Sequence, residues 1–180
     1  EVVKIFDSSG RSVSRDIRVL NTDPVTPGKG KYKHFMEKEI FEQPELISHA
    51  LGFYLNASKE TLTLPPLPKS TEIKRIILIG CGTAFYSCLV ARYWFESLSG
   101  VPTHAELASE FRYRSPVISA DDLLIFVSQS GETADTIGAL RFAKEHTKNI
   151  LAIVNVEQSS IAREATWVFP TKAGPEIGDA

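Results

Sequence analysis

From Lys74 to the end of the chain, short apolar runs alternate with segments of helical periodicity, and this alternation narrows the possible folds more than any other feature. Arg75 to Ile79, Pro102 to Leu107, Leu123 to Val127, Asn149 to Val154 and Trp167 to Phe169 read as strands bounded by polar or glycine-containing turns. Runs this short and this apolar suit strands covered on both faces, which is the condition of a parallel sheet. Between them, about Ala84 to Ser99 and Glu132 to about His146 have helical spacing. The first of these helices is apolar over much of its circumference (Phe85, Leu89, Val90, Trp94, Phe95, Leu98), so cover on more than one side is expected, with Arg92 and Glu96 as a polar pair. The second should turn Ala134, Ile137, Leu140 and Ala143 inward. Ser109 is placed to cap a short helix, and Ser159 or Ser160 a helical turn. Strand–helix alternation makes βαβ units, so the expected fold class is α/β, a doubly wound parallel sheet of about five strands with flanking helices.

In such sheets, ligands bind at the carboxyl ends of strands, where strand order reverses. Two turns fall at such ends: Gly80-Cys81-Gly82-Thr83 and Ser128-Gln129-Ser130-Gly131-Glu132-Thr133. The second offers three hydroxyls, an amide and a glycine where the chain enters a helix, so backbone N–H groups and the positive end of the helix dipole favour an anion there. Neutral donors of this kind suit a small phosphorylated metabolite that must come and go. Each charge-assisted hydrogen bond to phosphate is worth about 1.5–3 kcal/mol. A plain turn with a helix cap is the bland alternative.

Ahead of this region, Val2 to Phe6 and Val13 to Val19 could form a hairpin across Asp7-Ser8-Ser9-Gly10. Two strands alone are marginal in water, so the hairpin is expected to belong to a domain whose remainder is missing. Asn21 to Gly30 reads as a linker. Tyr32 to Gln43 is helical, Pro44 should interrupt it, and a second helix should follow with Leu46, Ile47, Ala50, Leu51, Tyr54 and Leu55 on one stripe. Pro65-Pro66-Leu67-Pro68 closes this prelude as a stiff spacer. The chain begins without methionine and stops without a closing element, which reads as a piece of a longer polypeptide.

Composition excludes several classes of function. A net charge of −2 without a Lys/Arg-rich run argues against nucleic acid. No apolar stretch approaches membrane-spanning length, and no signal peptide opens the chain. Cys81 ends a strand and Cys88 lies in the next helix, so a disulfide is not expected and a reducing, cytoplasmic setting fits. Cys81 reads as a small buried residue rather than a nucleophile. His34, His49, His104 and His146 show no metal-ligand spacing, and no metal or cofactor is expected.

Other chemistries fit less well. Gly80-Cys81-Gly82 invites a dinucleotide site, with Glu106 at roughly the distance of a ribose contact, but Phe85 stands where the third glycine is required. Glycines serving only strand-to-helix geometry, or a phosphosugar site that uses Thr83, remain the competing readings of that turn. Around Ser130, Ser128 and Glu132 occupy the two positions where a nucleophile elbow needs glycine. No G-x-x-x-x-G-K loop exists for a nucleoside triphosphate. Asp121-Asp122 reads as a solvated loop. Glu176, after Gly174-Pro175, is either a surface carboxylate or part of a site completed by residues outside this chain.

Ser128 to Thr133 with Ala134-Asp135-Thr136 resembles the phosphosugar motif of sugar isomerase (SIS) domains, whose sheets are flavodoxin-like. Phe35 to Pro44, Gly80 to Thr83, Ala108-Ser109-Glu110-Phe111-Arg112-Tyr113 and Ala173 to Gly178 narrow the resemblance to the glutamine–fructose-6-phosphate aminotransferase (isomerizing) family. The resemblance implies a division into residues 1–25, the last strands of a glutaminase domain; 26–72, linker and helical prelude; and 73–180, the first of two SIS domains, incomplete at its C-terminus. It implies fructose 6-phosphate or glucosamine 6-phosphate as ligand, held by Thr83, Ser128, Gln129, Ser130 and Thr133, with Gly82 and Gly131 supporting the turns. The catalytic cysteine and lysine of the family lie outside this chain, so the fragment alone should be inactive, Glu176 being its one possible catalytic group. A second SIS domain, a glutaminase domain and a homodimer are the implied partners. Ala84 stands where many members have serine, and Asp179-Ala180 departs from the family's continuation. A non-enzymatic SIS module that senses a phosphosugar is the alternative reading.

Overall fold

A computed structural model describes residues 4–14, 28–56, 58, 60–65, 67 and 73–178. Near the start, β1 (Ile5–Phe6) and β2 (Ser12–Val13) pair antiparallel. Asp7 Oδ1 shapes their turn by accepting from the Ser9 and Arg11 backbone N–H groups at 2.9 and 3.0 Å. The outer parts of the two expected strands (2–3 and 15–19), most of the linker, Pro66, Pro68 and Asp179-Ala180 lie outside the described residues.

Pro44 does not break the prelude. A single helix, α1 (Phe35–Tyr54), runs through it. Pro44 faces solvent, so water can take up the carbonyl it leaves without a donor. No residue of α1 is fully buried. Its end is fixed by Tyr54, whose hydroxyl donates to the Pro170 carbonyl at 2.6 Å and whose ring stacks on Phe169. A small hairpin not expected from the sequence follows, β3 (Leu55–Asn56) with β4 (Thr61–Leu62).

The strand–helix rhythm then holds. In chain order come β5 (Arg75–Gly80), α2 (Gly82–Ser99), β6 (Thr103–Leu107), α3 (Ala108–Phe111), β7 (Asp122–Ser128), α4 (Ala134–Lys144), β8 (Ile150–Val154), α5 (Ser160–Glu164) and β9 (Trp167–Pro170). The five strands form one parallel sheet in the order β6-β5-β7-β8-β9. Residues alternate between two cores. Ile77, Ile79, Leu124, Phe126 and Val154 pack with Phe111, Leu140 and Ile161 of α3, α4 and α5. Ile76, Leu78, Leu123, Ile125 and Leu151 pack on the other side, against Cys88, Ala91 and Phe95 of α2. A sheet covered on both faces is what the unbroken apolar runs require.

Several expectations need correction. Asp122 is not a solvated loop residue: it opens β7, is 2% exposed and pairs with Arg75, because a carboxylate this buried needs a cation and N–H donors. Among the described residues, α2 is covered on the side facing the sheet, and Tyr86, Tyr93, Trp94 and Leu98 are left exposed. Arg92 lies over the Tyr93 ring rather than pairing with Glu96, whose carboxylate accepts instead from the Thr103 N–H. Ser109 sits inside α3, whose N-cap is Leu107. Ala134 is exposed, and Thr136 and Ala139 take its inward place. Cys81 is half-buried, while Cys88 is buried with its thiol pKa pushed up to about 11 by burial; both are free thiols. Among the described residues, no helix is long and apolar enough to cross a membrane.

Candidate functional site

The chain leaves β5, forms β6 on one side of it, and returns to lay β7 on the other. Strand order therefore reverses between β5 and β7, and the two polar turns sit at the carboxyl ends of these neighbours. They line one cleft of about 510 Å³, with Cys81 to Ala84 on one wall, Val127 to Ser130 and Thr133 on another, and Glu176 to Gly178 opposite. Every expected contact residue is on it: Thr83, Ser128, Gln129, Ser130 and Thr133, together with Gly82. Gly131 lies beneath, buried.

Two helices start at this cleft, and neither is capped by a side chain. Cys81 is the N-cap of α2 and Thr133 that of α4, both in extended conformation, and neither side chain bonds the first turn. The leading N–H groups of both helices thus lack the usual side-chain acceptor. Thr133 Oγ1 lies 3.4 Å from Ser128 Oγ, a long and weak pairing. Ser128 Oγ accepts from the Gly131 N–H at 3.1 Å, and Ser130 Oγ from the Glu132 N–H at 3.2 Å. Each serine hydroxyl that accepts in this way keeps its own proton for a ligand.

Gly131 makes the turn possible. Its φ is +64°, and a Cβ there would stand 2.0 Å from Ser159 Oγ. Glu132, the one carboxylate in the turn, is turned away from the cleft. It accepts from the Ser160 N–H at 2.7 Å, and that bond holds its carboxyl below the usual range. Negative charge is thereby kept off the hydroxyl cradle. Ser159 caps α5 through its bond from the Ala162 N–H at 3.4 Å.

Thr136 was part of the recognised motif, but sequence reasoning assigned it no role. It is among the residues that border the cleft, it is fully buried, and its Oγ1 has no hydrogen-bond partner among the described residues. Asn155 was missed altogether. It follows β8 and organises the opposite wall: its Oδ1 accepts from the Ala173 N–H at 2.8 Å and its amide donates to the Gly174 carbonyl. A lone asparagine after a strand carries no sequence signal for that.

A second cavity of about 520 Å³ adjoins the first and shares Thr83, Ser128, Gln129 and Glu176. Its far side is α1, with Leu46, Ile47 and Ala50. Residues at the N-termini of both helices, Cys81 to Thr83 of α2 and Thr133 of α4, line the first cavity, whereas the second meets the N-terminus of α2 alone. Among the described residues, no group of acidic, histidine and cysteine side chains could hold a metal ion.

The pattern that defines the SIS domain matches residues 71–180, more than half of the chain. The chain belongs to the SIS-domain family. The chain is 50% identical over its whole length to glutamine–fructose-6-phosphate aminotransferase [isomerizing] of Bartonella quintana, and 45% identical over 99% of its length to the Brucella abortus protein of the same name. It spans about 30% of the length of these curated relatives. Among solved structures, the C-terminal domain of glucosamine-fructose-6-phosphate aminotransferase from Francisella tularensis superposes with a TM-score of 0.76 at 41% identity, covering 86% of this chain and 44% of that one. Glucosamine-6-phosphate deaminase from Thermotoga maritima shares the fold, with a TM-score of 0.63 at 23% identity over 77% of this chain and 40% of its own.

Proposed function

We propose that this chain is the sugar-phosphate-binding SIS domain of a glutamine–fructose-6-phosphate aminotransferase, taking fructose 6-phosphate or glucosamine 6-phosphate as ligand. The observation that carries the reading is the meeting of two uncapped helix N-termini with the hydroxyls of Ser128, Ser130 and Thr133 in one cleft. Ser128, Gln129, Ser130 and Thr133 hold the phosphate, with Thr83 on the facing turn. Gly82 and Gly131 allow the backbone its course. Among the described residues the cradle carries no lysine or arginine, so the affinity they supply rests on dipoles and neutral donors, which favours exchange over tight retention.

The chemistry of amino transfer needs groups from outside this chain. Among the described residues, Glu176 is the one charged side chain on the cleft wall and the candidate there for moving a proton. Residues 1–25 are read as the end of a glutaminase domain, 26–72 as the connection, and 73–180 as the first SIS domain. A second SIS domain, the glutaminase domain and a second copy of the protein complete the assembly, in the cytoplasm.

The test is thermal unfolding of the full-length protein with fructose 6-phosphate. A ligand at 100 times its Kd adds about 2.7 kcal/mol to the folded state. Wild type should melt higher with ligand, and Ser130→Ala should lose most of the shift without melting lower in its absence. No shift at millimolar fructose 6-phosphate in wild type refutes the proposal.

A further inference from the structure

Two recognised motifs find no role in the phosphate cradle: Phe35 to Pro44 on α1, and Ala173 to Gly178 after β9. The fold joins them through one side chain. Glu39 Oε1 accepts from the Ile177 N–H at 2.8 Å and from the Gly178 N–H at 3.0 Å, and Oε2 lies 3.1 Å from the same Gly178 nitrogen. Ile177 and Gly178 form part of the cleft wall that faces the cradle.

Asn155 and Glu39 both anchor the wall segment. Its first half is tied to Asn155, through Ala173 and Gly174. Among the described residues, Glu39 is the one side chain that bonds the backbone of Ile177 and Gly178. Packing points the same way. A Cβ on Gly178 would meet Met36 N and Glu39 Oε2 at 3.0 Å, so the loop backbone lies against the first turn of α1. Backbone N–H groups that bond a carboxylate form the stronger class of neutral–ionic hydrogen bond. α1 itself buries no residue fully; Tyr54 and Phe53 tie its C-terminal end to Pro170, Phe169 and Lys172, and Glu39 makes the tie near its N-terminal end.

We infer that Glu39 is a positioning residue for the ligand cleft, clamping the 176–178 wall at the distance from Ser128–Thr133 that a hexose phosphate needs. The inference rests on the sugar-phosphate reading above. The cradle contributes the phosphate contacts and the clamped wall the contacts to the rest of the sugar. Loss of Glu39 should therefore separate the two halves of recognition.

Equilibrium binding to the full-length protein tests this with two probes, fructose 6-phosphate and inorganic phosphate. Glu39→Ala should weaken fructose 6-phosphate about tenfold, the equivalent of one lost charge-assisted bond, and leave inorganic phosphate unchanged. Glu39→Gln keeps the Oε1 acceptor and should stay within about threefold of wild type, since that oxygen receives both N–H groups. Unchanged fructose 6-phosphate affinity in Glu39→Ala overturns the inference. So does equal weakening of both probes, which is the mark of general damage, or a Glu39→Gln protein as weak as Glu39→Ala. Ser130→Ala serves as the control. If it leaves both probes unaffected, the sugar-phosphate reading fails and the clamp falls with it; if it weakens both while Glu39→Ala weakens neither, the clamp alone is wrong.

Discussion

Of the glycines in this protein, Gly131 is the one where an added methyl group would meet the nearest neighbour, so its replacement by alanine should be costly. At a φ of +64°, alanine pays about 1–2 kcal/mol relative to glycine for the left-handed backbone. The new methyl would also sit 2.0 Å from Ser159 Oγ and 2.5 Å from Ser159 Cβ. Ser159 is 2% exposed and cannot swing into solvent. Displacing it costs about 1–3 kcal/mol in overpacking, and surrendering its cap on α5 about 1 kcal/mol. Together these place the loss at about 3–6 kcal/mol. Urea unfolding followed through Trp167, half-buried on β9, reads it directly. Pairing Gly131→Ala with Ser159→Gly removes the collision and leaves the backbone penalty. The double variant should then be better than the sum of the single ones by about 1–3 kcal/mol. A loss below about 1 kcal/mol in Gly131→Ala, or strict additivity in the double variant, refutes this account of the turn.

Three further outcomes follow from the same geometry. Asp122→Ala strands Arg75, whose guanidinium donates to both Asp122 oxygens, and frees the Ser119 N–H bonded to Asp122 at 2.6 Å; since Arg75 is partly exposed, the loss by urea unfolding should be about 2–4 kcal/mol, and a neutral result contradicts a structural role for the pair. Thr136→Val removes a buried hydroxyl without a described partner and keeps the shape, so stability should stay equal or rise by up to about 1 kcal/mol, while a loss beyond about 1 kcal/mol would mean that the hydroxyl is bonded in the folded state. Glu132 has a carboxyl pKa lowered in the fold from 4.5, first by the Ser160 N–H, so its contribution is present above about pH 4.5 and is lost as pH falls through the lower folded value; Glu132→Gln should flatten that part of the acid limb in a pH series of urea titrations, and an unchanged limb removes the assignment.

Much of the fold was legible because burial on two faces writes itself into each strand as an uninterrupted apolar run. The five strands lie within a residue or two of their expected positions. The polar turns were legible as strand-to-helix junctions, because glycine and hydroxyls collect where a buried strand ends and a helix begins. What misled was context. Pro44 reads as a breaker unless its side of the helix faces water, and Asp122 reads as solvated unless Arg75 on the neighbouring strand arrives beside it. The apolar circumference of α2 reads as buried on more than one side, yet among the described residues it is covered on the side facing the sheet.

By itself, the sequence determined the class of fold, the order of its elements and the chemistry of the two turns, because these depend on residues adjacent along the chain. Only the tertiary structure decided that β5 and β7 are neighbours, so that Thr83 and Ser128 share a cleft, and that Glu39 reaches Ile177 and Gly178 across the molecule. Periodicity tells a strand which faces are buried but carries no record of which partner covers them. Partnership is settled by the packing of the whole sheet and its helices, where distant residues first meet.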